Sequence, residues 1–272
     1  TATDSINLSW GCPISNNPPE ISEITLMGNH YIGLEYTISA TATDLDGDSI
    51  TYSWSVDGGS LNNPNVNPVK WKMPGNAGSY NITVAVDDGN GGQDEKTETV
   101  EVLAMPSVSL PLQIWKGGAV EKGTFPIVYA VTIVGDSVND RPYRGFLSFD
   151  ISSLAGKEVI SAEMKFKQFH TYNNPYSIIE KIRVEAIYWG TDLIELEDYN
   201  STGVTLGLFN IPPFTCSSPE LVYELNQAIE SGHDRFQIRL SHKGLQTNHN
   251  GIEDTISCKY TSMVEFNATY MP

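Results

Sequence analysis

The sequence predicts an all-β chain of two tandem β-sandwiches with at most one short helix. Three observations carry that reading. Apolar residues alternate with Thr, Ser and charged residues at a period of two, the pattern of strands with one buried face. Clusters of Gly, Asp and Asn punctuate the runs at short intervals, where turns are needed. The chain has 272 residues, room for two domains of roughly 100–150 residues each, and its texture changes once, near Met105-Pro-Ser-Val-Ser-Leu-Pro111. Residues 1–16 read as an N-terminal strand and linker, 17–104 as the first sandwich and 105–272 as the second.

In the first sandwich, Tyr36, Ile38, Ala40 and Ala42 alternate with Thr37, Ser39, Thr41 and Thr43. Past Asp46-Gly47, Ile50, Tyr52, Trp54 and Val56 do the same, so the two runs are expected to pair as a β-hairpin. Tyr80, Ile82, Val84 and Val86 form a third run, and Val100 and Val102 point inward from a fourth. In the second sandwich, Ile127, Tyr129, Val131 and Ile133 alternate again. A short helix is expected over Asn226–Ser231, with Asn226 as N-cap and Gly232 as the stop. A longer helix starting at Ser218-Pro219-Glu220, with Leu221, Leu225 and Ile229 on one face, is the competing reading.

Both halves carry family resemblances. Asn16-Asn-Pro-Pro-Glu-Ile21, Ala42-Thr-Asp-Leu-Asp-Gly-Asp48, Ile50-Thr-Tyr-Ser-Trp54 and Val84-Ala-Val-Asp-Asp-Gly-Asn-Gly-Gly92 resemble the PKD and cadherin-like Ig modules of microbial surface proteins. After Trp54 the chain reads Ser-Val-Asp-Gly-Gly in place of the PKD Asp-Phe-Gly-Asp-Gly. Arg144-Gly-Phe-Leu-Ser-Phe-Asp-Ile-Ser-Ser-Leu154, followed by Val159-Ile-Ser-Ala-Glu-Met-Lys-Phe-Lys-Gln-Phe169, resembles the DNRLRE and disaggregatase-related modules. That family's own string is absent, with Asn139-Asp-Arg-Pro-Tyr-Arg144 in its place. The resemblances imply an Ig-like sandwich followed by a jelly-roll-like one comparable to carbohydrate-binding modules, and imply no catalysis. The second also favours a strand through Leu221–Leu225 and hence the shorter helix.

Charge excludes some partners. With 16 Lys+Arg against 33 Asp+Glu, the net charge of −17 argues against nucleic acid and anionic membrane surfaces. No run approaches the ~18 apolar residues of a membrane span. The start, without Met or an apolar leader, reads as a mature or excised piece, and for the same reason Gly11-Cys12 is not taken as a lipidated cysteine. Four sequons, at Asn7, Asn81, Asn200 and Asn267, predict an exported, extracellular or cell-surface protein carrying glycans. In that compartment Cys216 and Cys258 are expected to pair as a disulfide, leaving Cys12 over.

No motif marks a reaction. His30, His170, His233, His242 and His249 have no metal-ligand spacing and are expected on surfaces and loops. There is no G-x-S-x-G, no H-E-x-x-H and no phosphate-cradling loop, so a non-catalytic protein is expected. Asp44, Asp46, Asp48, Asp87, Asp88 and Asn90 are hard oxygen donors in two turns, candidates for Ca²⁺; turn formation alone also accounts for them. For sugars, Tyr172, Asn173, Asn174 and Tyr176 are the candidate loop, with Trp115, Tyr143 and Trp189 as neighbours, because ring faces stack on sugar C–H groups while amides hold hydroxyls. Ile6, Leu8 and Trp10 form an extra strand before the first sandwich, a candidate donor strand for a neighbouring subunit. Two functions follow. The first is a structural or adhesive subunit of a filament, surface layer or matrix, whose partners are copies of itself or other surface proteins. The second is a polysaccharide-binding accessory region of a larger surface protein or enzyme.

Overall fold

The computed structural model describes residues 15–128, 131–258 and 263–272. The sequon at Asn7, Cys12 and the strand of Ile6, Leu8 and Trp10 lie outside the described residues, as does Tyr129. The chain divides into two compact units after Met105, both built on β-sheets.

The first unit is a sandwich of two four-stranded sheets. One runs β1 (Glu20–Thr25), β3 (Glu35–Thr43), β6 (Val69–Lys72), β5 (Ser60–Leu61); the other runs β2 (His30–Tyr31), β8 (Gln93–Leu103), β7 (Gly78–Asp87), β4 (Thr51–Val56). The period-two pattern sends Ile38, Trp54, Trp71, Ile82, Val84 and Val102 into one core, all at most 3% exposed. Each such side chain contributes roughly 1.5–3 kcal/mol of burial. The Trp71 indole N–H donates to Gly58 O at 2.9 Å, whereas the buried Trp54 indole N–H has no acceptor among the described residues.

The expected hairpin does not form. β3 and β4 lie in different sheets, and β4 pairs with β7 instead. Both runs carry an apolar face that must reach the same core, and the intervening segment is too long for a two-residue hairpin turn. The Asp44 carboxylate takes the backbone N–H groups of Asp46 and Asp48 at 2.9 and 3.2 Å, and the chain arches from one sheet to the other.

The second unit is also a sandwich. One layer has nine strands, ordered β15 (His170–Tyr172), β20 (Asp254–Cys258), β12 (Thr132–Asp136), β13 (Pro142–Asp150), β19 (Arg235–Gly244), β16 (Ile179–Ile187), β17 (Val204–Phe209), with β10 (Gly118–Glu121) paired to β13 and β11 (Ile127–Val128) paired to β10. The other layer is β18 (Phe214–Cys216), β14 (Val159–Phe166), β21 (Val264–Tyr270), β9 (Ser107–Ser109). Leu147, Phe149, Ile182, Val184, Ile238 and Leu240 face the core from the first layer, Met164, Phe166 and Phe266 from the second.

The large sheet is buried on its second face too. Val120, Phe146, Ile187, Ile194 and Tyr199 form a smaller cluster there, which is why the first eight residues of β19 are all buried. This face also buries charge. Arg239 Nε lies 3.1 Å from Glu185 Oε2, and Arg239 Nη1 donates to Ser201 O at 2.6 Å. Arg144 lies over the Tyr199 ring at 4.3 Å and donates to the Tyr199 carbonyl.

The helix is the longer alternative. α1 spans Pro219–Glu230, so neither the strand over Leu221–Leu225 nor an N-cap at Asn226 exists. Ser218 Oγ accepts the Leu221 N–H at 3.2 Å, Pro219 opens the first turn, and Leu221 and Leu225 are buried against the sheet. Asn226 instead bonds both backbone groups of Val159, holding the helix to β14. Gly232, at φ 73°, ends the helix as expected of a left-handed C-terminal residue.

Candidate functional site

In the first unit the two acidic turns meet at one end. Oxygens of Asp44, Asp46 and Asp48 all lie within 4.8 Å of one another. Asn90 Nδ2 reaches across to Asp48 Oδ2 at 2.9 Å, and Asn17 donates to Asp46 through its backbone N–H at 2.7 Å and through Nδ2. Asp44 Oδ2 is buried and has no donor among the described residues. The remaining carboxylates serve the turn itself. Asp87 accepts Gly89 N–H and Gln93 Nε2, while Asp88 accepts the N–H groups of Asn90 and Gly92 and the Asn16 amide. The Asn16 hydrogen bond is the main cause that holds the Asp88 carboxyl below its ordinary range. Asp44, Asp46 and Asp48 therefore form the cation-competent group. Asn17, not named as a site residue from sequence, bonds this group, and Asn16 bonds the neighbouring Asp88.

In the second unit the sugar candidates separate into two places. Tyr172 ends β15, 60% exposed, and Tyr176 sits in a single 3-10 turn over Pro175–Ser177, 67% exposed. The backbone between them is pinned. Asn173, at φ 50°, donates Nδ2 to Glu253 O at 2.6 Å, and Asn174 N–H donates to Asp254 Oδ1 at 2.8 Å. Asp254 is 2% exposed and is itself held by Asn248 Nδ2 at 2.7 Å. Its register partner Asp136 is fully buried, and burial, aided by the charges of Asp254 and Asp140, raises the Asp136 carboxyl above its usual range. Two exposed phenol rings thus stand on a loop fixed by the buried Asp254 carboxylate and by an exposed bond to Glu253 O.

Trp189 and Trp115 do not join that loop. Trp189 follows β16, which four strands separate from β15 in the sheet, and packs edge-on against Phe146 at 5.6 Å. Trp115 is 62% exposed, in the segment before β10, whose Lys116 reaches Thr191 O. Tyr143 is no ring platform either: half-buried on β13, its hydroxyl is pushed up to about 12 by burial, then by the charges of Glu121 and Glu253.

Cys216 and Cys258 are buried and not joined by a disulfide. Cys216 sits opposite Met164 in one sheet, beside the start of α1, and Cys258 opposite Thr132 in the other sheet. Each fills its own part of the core. His30 and His242 also depart from expectation: both lie in strands, 8% and 7% exposed, and burial lowers their pKa below the ordinary histidine value. Of the described sequons, Asn81 on β7 and Asn200 are exposed and Asn267 on β21 is half-buried.

Among the described residues no helix is long and apolar enough to cross a membrane. A family model described as a bacterial Ig domain matches residues 16–102, so the first unit is a bacterial Ig-like domain. No curated protein matches. Among solved structures, a carbohydrate-binding module of the β-sandwich superfamily superposes at TM-score 0.27 with 13% identity, over 95% of this chain and 100% of that one. A Bacteroides ovatus protein from a mixed-linkage glucan utilization locus, solved with a mixed-linkage heptasaccharide, gives 0.25 and 8%, over 83% and 100%. A nucleoside hydrolase-related protein of Saccharophagus degradans, associated with carbohydrate metabolism, gives 0.25 and 23%, over 33% of this chain and only 26% of that one. Superpositions this loose say nothing about what the present chain binds.

Proposed function

We propose that the chain is a non-catalytic, extracellular carbohydrate-binding region of the cell surface, in which the Ig-like unit is a spacer and the second unit carries the ligand. The observation that supports this most directly is the Tyr172–Tyr176 loop. Exposed aromatic faces on a backbone pinned by hydrogen bonds to Glu253 O and to the buried Asp254 carboxylate lose little conformational freedom on binding, which is what stacking on a sugar needs. The resemblance of the second unit to DNRLRE and disaggregatase-related modules belongs to the same reading. The test is retention on immobilised polysaccharides. Wild-type chain should be retarded, and a Tyr172→Ala/Tyr176→Ala variant with unchanged melting temperature should lose roughly tenfold or more in affinity. Equal retardation of both would refute the loop's role.

We further propose that Ca²⁺ binds at Asp44, Asp46 and Asp48. The donor set is all oxygen, as this hard cation requires, and Asp44 Oδ2 is buried without a donor among the described residues to satisfy it. Bound there, the cation would supply charge neutralisation and rigidity to the end of the Ig-like unit.

The assembly reading keeps one observation in its favour. β17 is a sheet-edge strand of six residues with Val204 and Leu208 exposed at 44% and 46%, an edge on which an added strand could pair. Light scattering of residues 1–272 against 12–272 decides it: polymers from the full chain alone support assembly, and monomers from both exclude it.

A further inference from the structure

A cleft with a mixed apolar and polar lining lies at the other side of the large sheet from the tyrosine loop. It is formed where the turn after β16, the end of α1 and the start of β19 converge. Its volume is about 260 Å³, just under the ~300 Å³ at which small-molecule sites begin, a scale that suits one ring rather than an extended ligand. Tyr188, Glu224, Gln227, Ser231, His233 and Arg235 line it.

Its aromatic wall is preformed. The rings of Tyr188 and His233 stack at 3.8 Å between centroids with planes 2° apart. Each covers one face of the other, and Tyr188, 49% exposed, keeps an outer face. The turn carrying Tyr188 is tied to β19 by two buried side chains. Gln237, 1% exposed, accepts Trp189 N–H at 3.0 Å and donates to Gly190 O at 2.9 Å, and Arg235 Nη1 donates to Thr191 O at 2.6 Å. Two donors at this turn remain unspent. Arg235 Nε and Trp189 Nε1 are buried without an acceptor, and the Asp234 carboxylate lies 3.6 Å from the former, outside hydrogen-bond reach. Also in the lining, α1 presents a carboxylate and an amide from Glu224 and Gln227, and its C-cap Ser231 presents a hydroxyl.

We infer that this cleft is a second sugar subsite, one that takes a neutral hexopyranose residue of a polysaccharide. An apolar ring face beside a carboxylate, an amide and a hydroxyl is the combination that holds a pyranose by stacking and by its hydroxyls. Arg235, the cation in the lining, is 9% exposed and spends Nη1 on Thr191 O, whereas Glu224 within the cleft and the net charge of −17 disfavour a uronate. This inference rests on the carbohydrate-binding reading and adds to it a separate place and a sugar class.

Native gels containing mixed-linkage β-glucan, galactomannan or polygalacturonate test it, run on the full chain. Tyr188→Ala should weaken retardation by a neutral polysaccharide about tenfold, while Tyr188→Phe, which keeps the ring, stays within about twofold. Should Tyr188→Ala lower the melting temperature, Glu224→Gln and Gln227→Ala on the helix surface must show the loss instead. Wild-type retardation in those variants overturns the subsite. Loss confined to the Tyr172/Tyr176 variant overturns the subsite while sparing the carbohydrate reading. Retardation of wild type by polygalacturonate alone overturns the neutral-sugar assignment, and retardation by none of the three overturns both.

Discussion

Replacing Arg239 with Leu tests how the outer face of the large sheet is held. Arg239 is 4% exposed and Glu185 is 7% exposed. The guanidinium lies 3.1 Å from the carboxylate and also donates to Ser201 O at 2.6 Å and Tyr199 O at 3.3 Å. Without it, Glu185 keeps the Ser241 hydroxyl at 3.4 Å, and Ser201 O loses its guanidinium donor, while Tyr199 O keeps Arg144. Leaving one member of a buried ion pair uncompensated costs about 3–5 kcal/mol. With a urea m-value of about 2 kcal/mol/M for a domain of this size, the midpoint should fall by roughly 1.5–2.5 M. Urea denaturation of the full chain, followed by fluorescence and near-UV circular dichroism, should show this drop in one transition only, because the Ig-like unit does not contain the pair. The double variant Glu185→Leu/Arg239→Leu buries no charge and should regain most of the loss, since an apolar pair of similar volume often matches a buried ion pair. A single-variant shift below about 0.5 M, or a double variant as unstable as the single, would refute the reasoning.

Four further outcomes follow from other parts of the chain. Millimolar Ca²⁺ should raise the melting temperature of the Ig-like unit by several degrees in the wild type and leave Asp44→Asn/Asp46→Asn unmoved, measured by calorimetry. Cys216, whose thiol burial pushes up to about 11, should resist alkylation at pH 8 until the protein is unfolded, and peptide mass mapping should find no link to Cys258. Ser218→Ala should cost about 1 kcal/mol by removing the cap of α1, read from the same urea curves. In acid, Asp88 and Asp136 should act with opposite sign: the lowered Asp88 contributes stability above its ordinary value near 3.8 that is lost as pH falls through the folded value, and Asn16→Ala should flatten that limb; the raised Asp136 contributes most below 3.8 and loses it as pH rises, so acid should erode the second unit less.

The parts of the fold that a local pattern controls were legible. Period-two alternation identifies Ile82, Val84 and Val86, and Val100 and Val102, as core because a strand's inward set is decided by its own sequence. Pairing is not local. The runs on either side of Asp46-Gly47 read as a hairpin, yet the same alternation serves equally well when each strand faces the core from its own sheet. The choice depends on what β7 and β6 offer as partners, far along the chain. The helix shows the converse: Ser218, Pro219, Leu221 and Leu225 spell a helix start and face, and the resemblance displaced a local signal that was correct.

The candidate sites divide along the same line. Tyr172, Asn173, Asn174 and Tyr176 are contiguous, so a sequence reading could name the loop, but what makes it rigid is Asp254, which reaches it from 80 positions away. Asp44, Asp46 and Asp48 are likewise close in sequence, whereas Asn90 is joined to Asp48 across 42 positions, a contact that sheet pairing alone creates. Trp189 and Trp115 share the chemistry of the tyrosines and none of their place. The residue type that stacks on a sugar is also the residue type that fills a core, and Trp189 is committed to Phe146. Its neighbour Tyr188 had no signal in the sequence beyond being aromatic. The ring is exposed because β16 ends one residue earlier, and it faces His233 because α1 ends at Glu230 and Gly232 returns the chain to the same edge. A binding platform of that kind is set by where two elements stop, which makes it a property of the assembled sheet and helix and not of any motif.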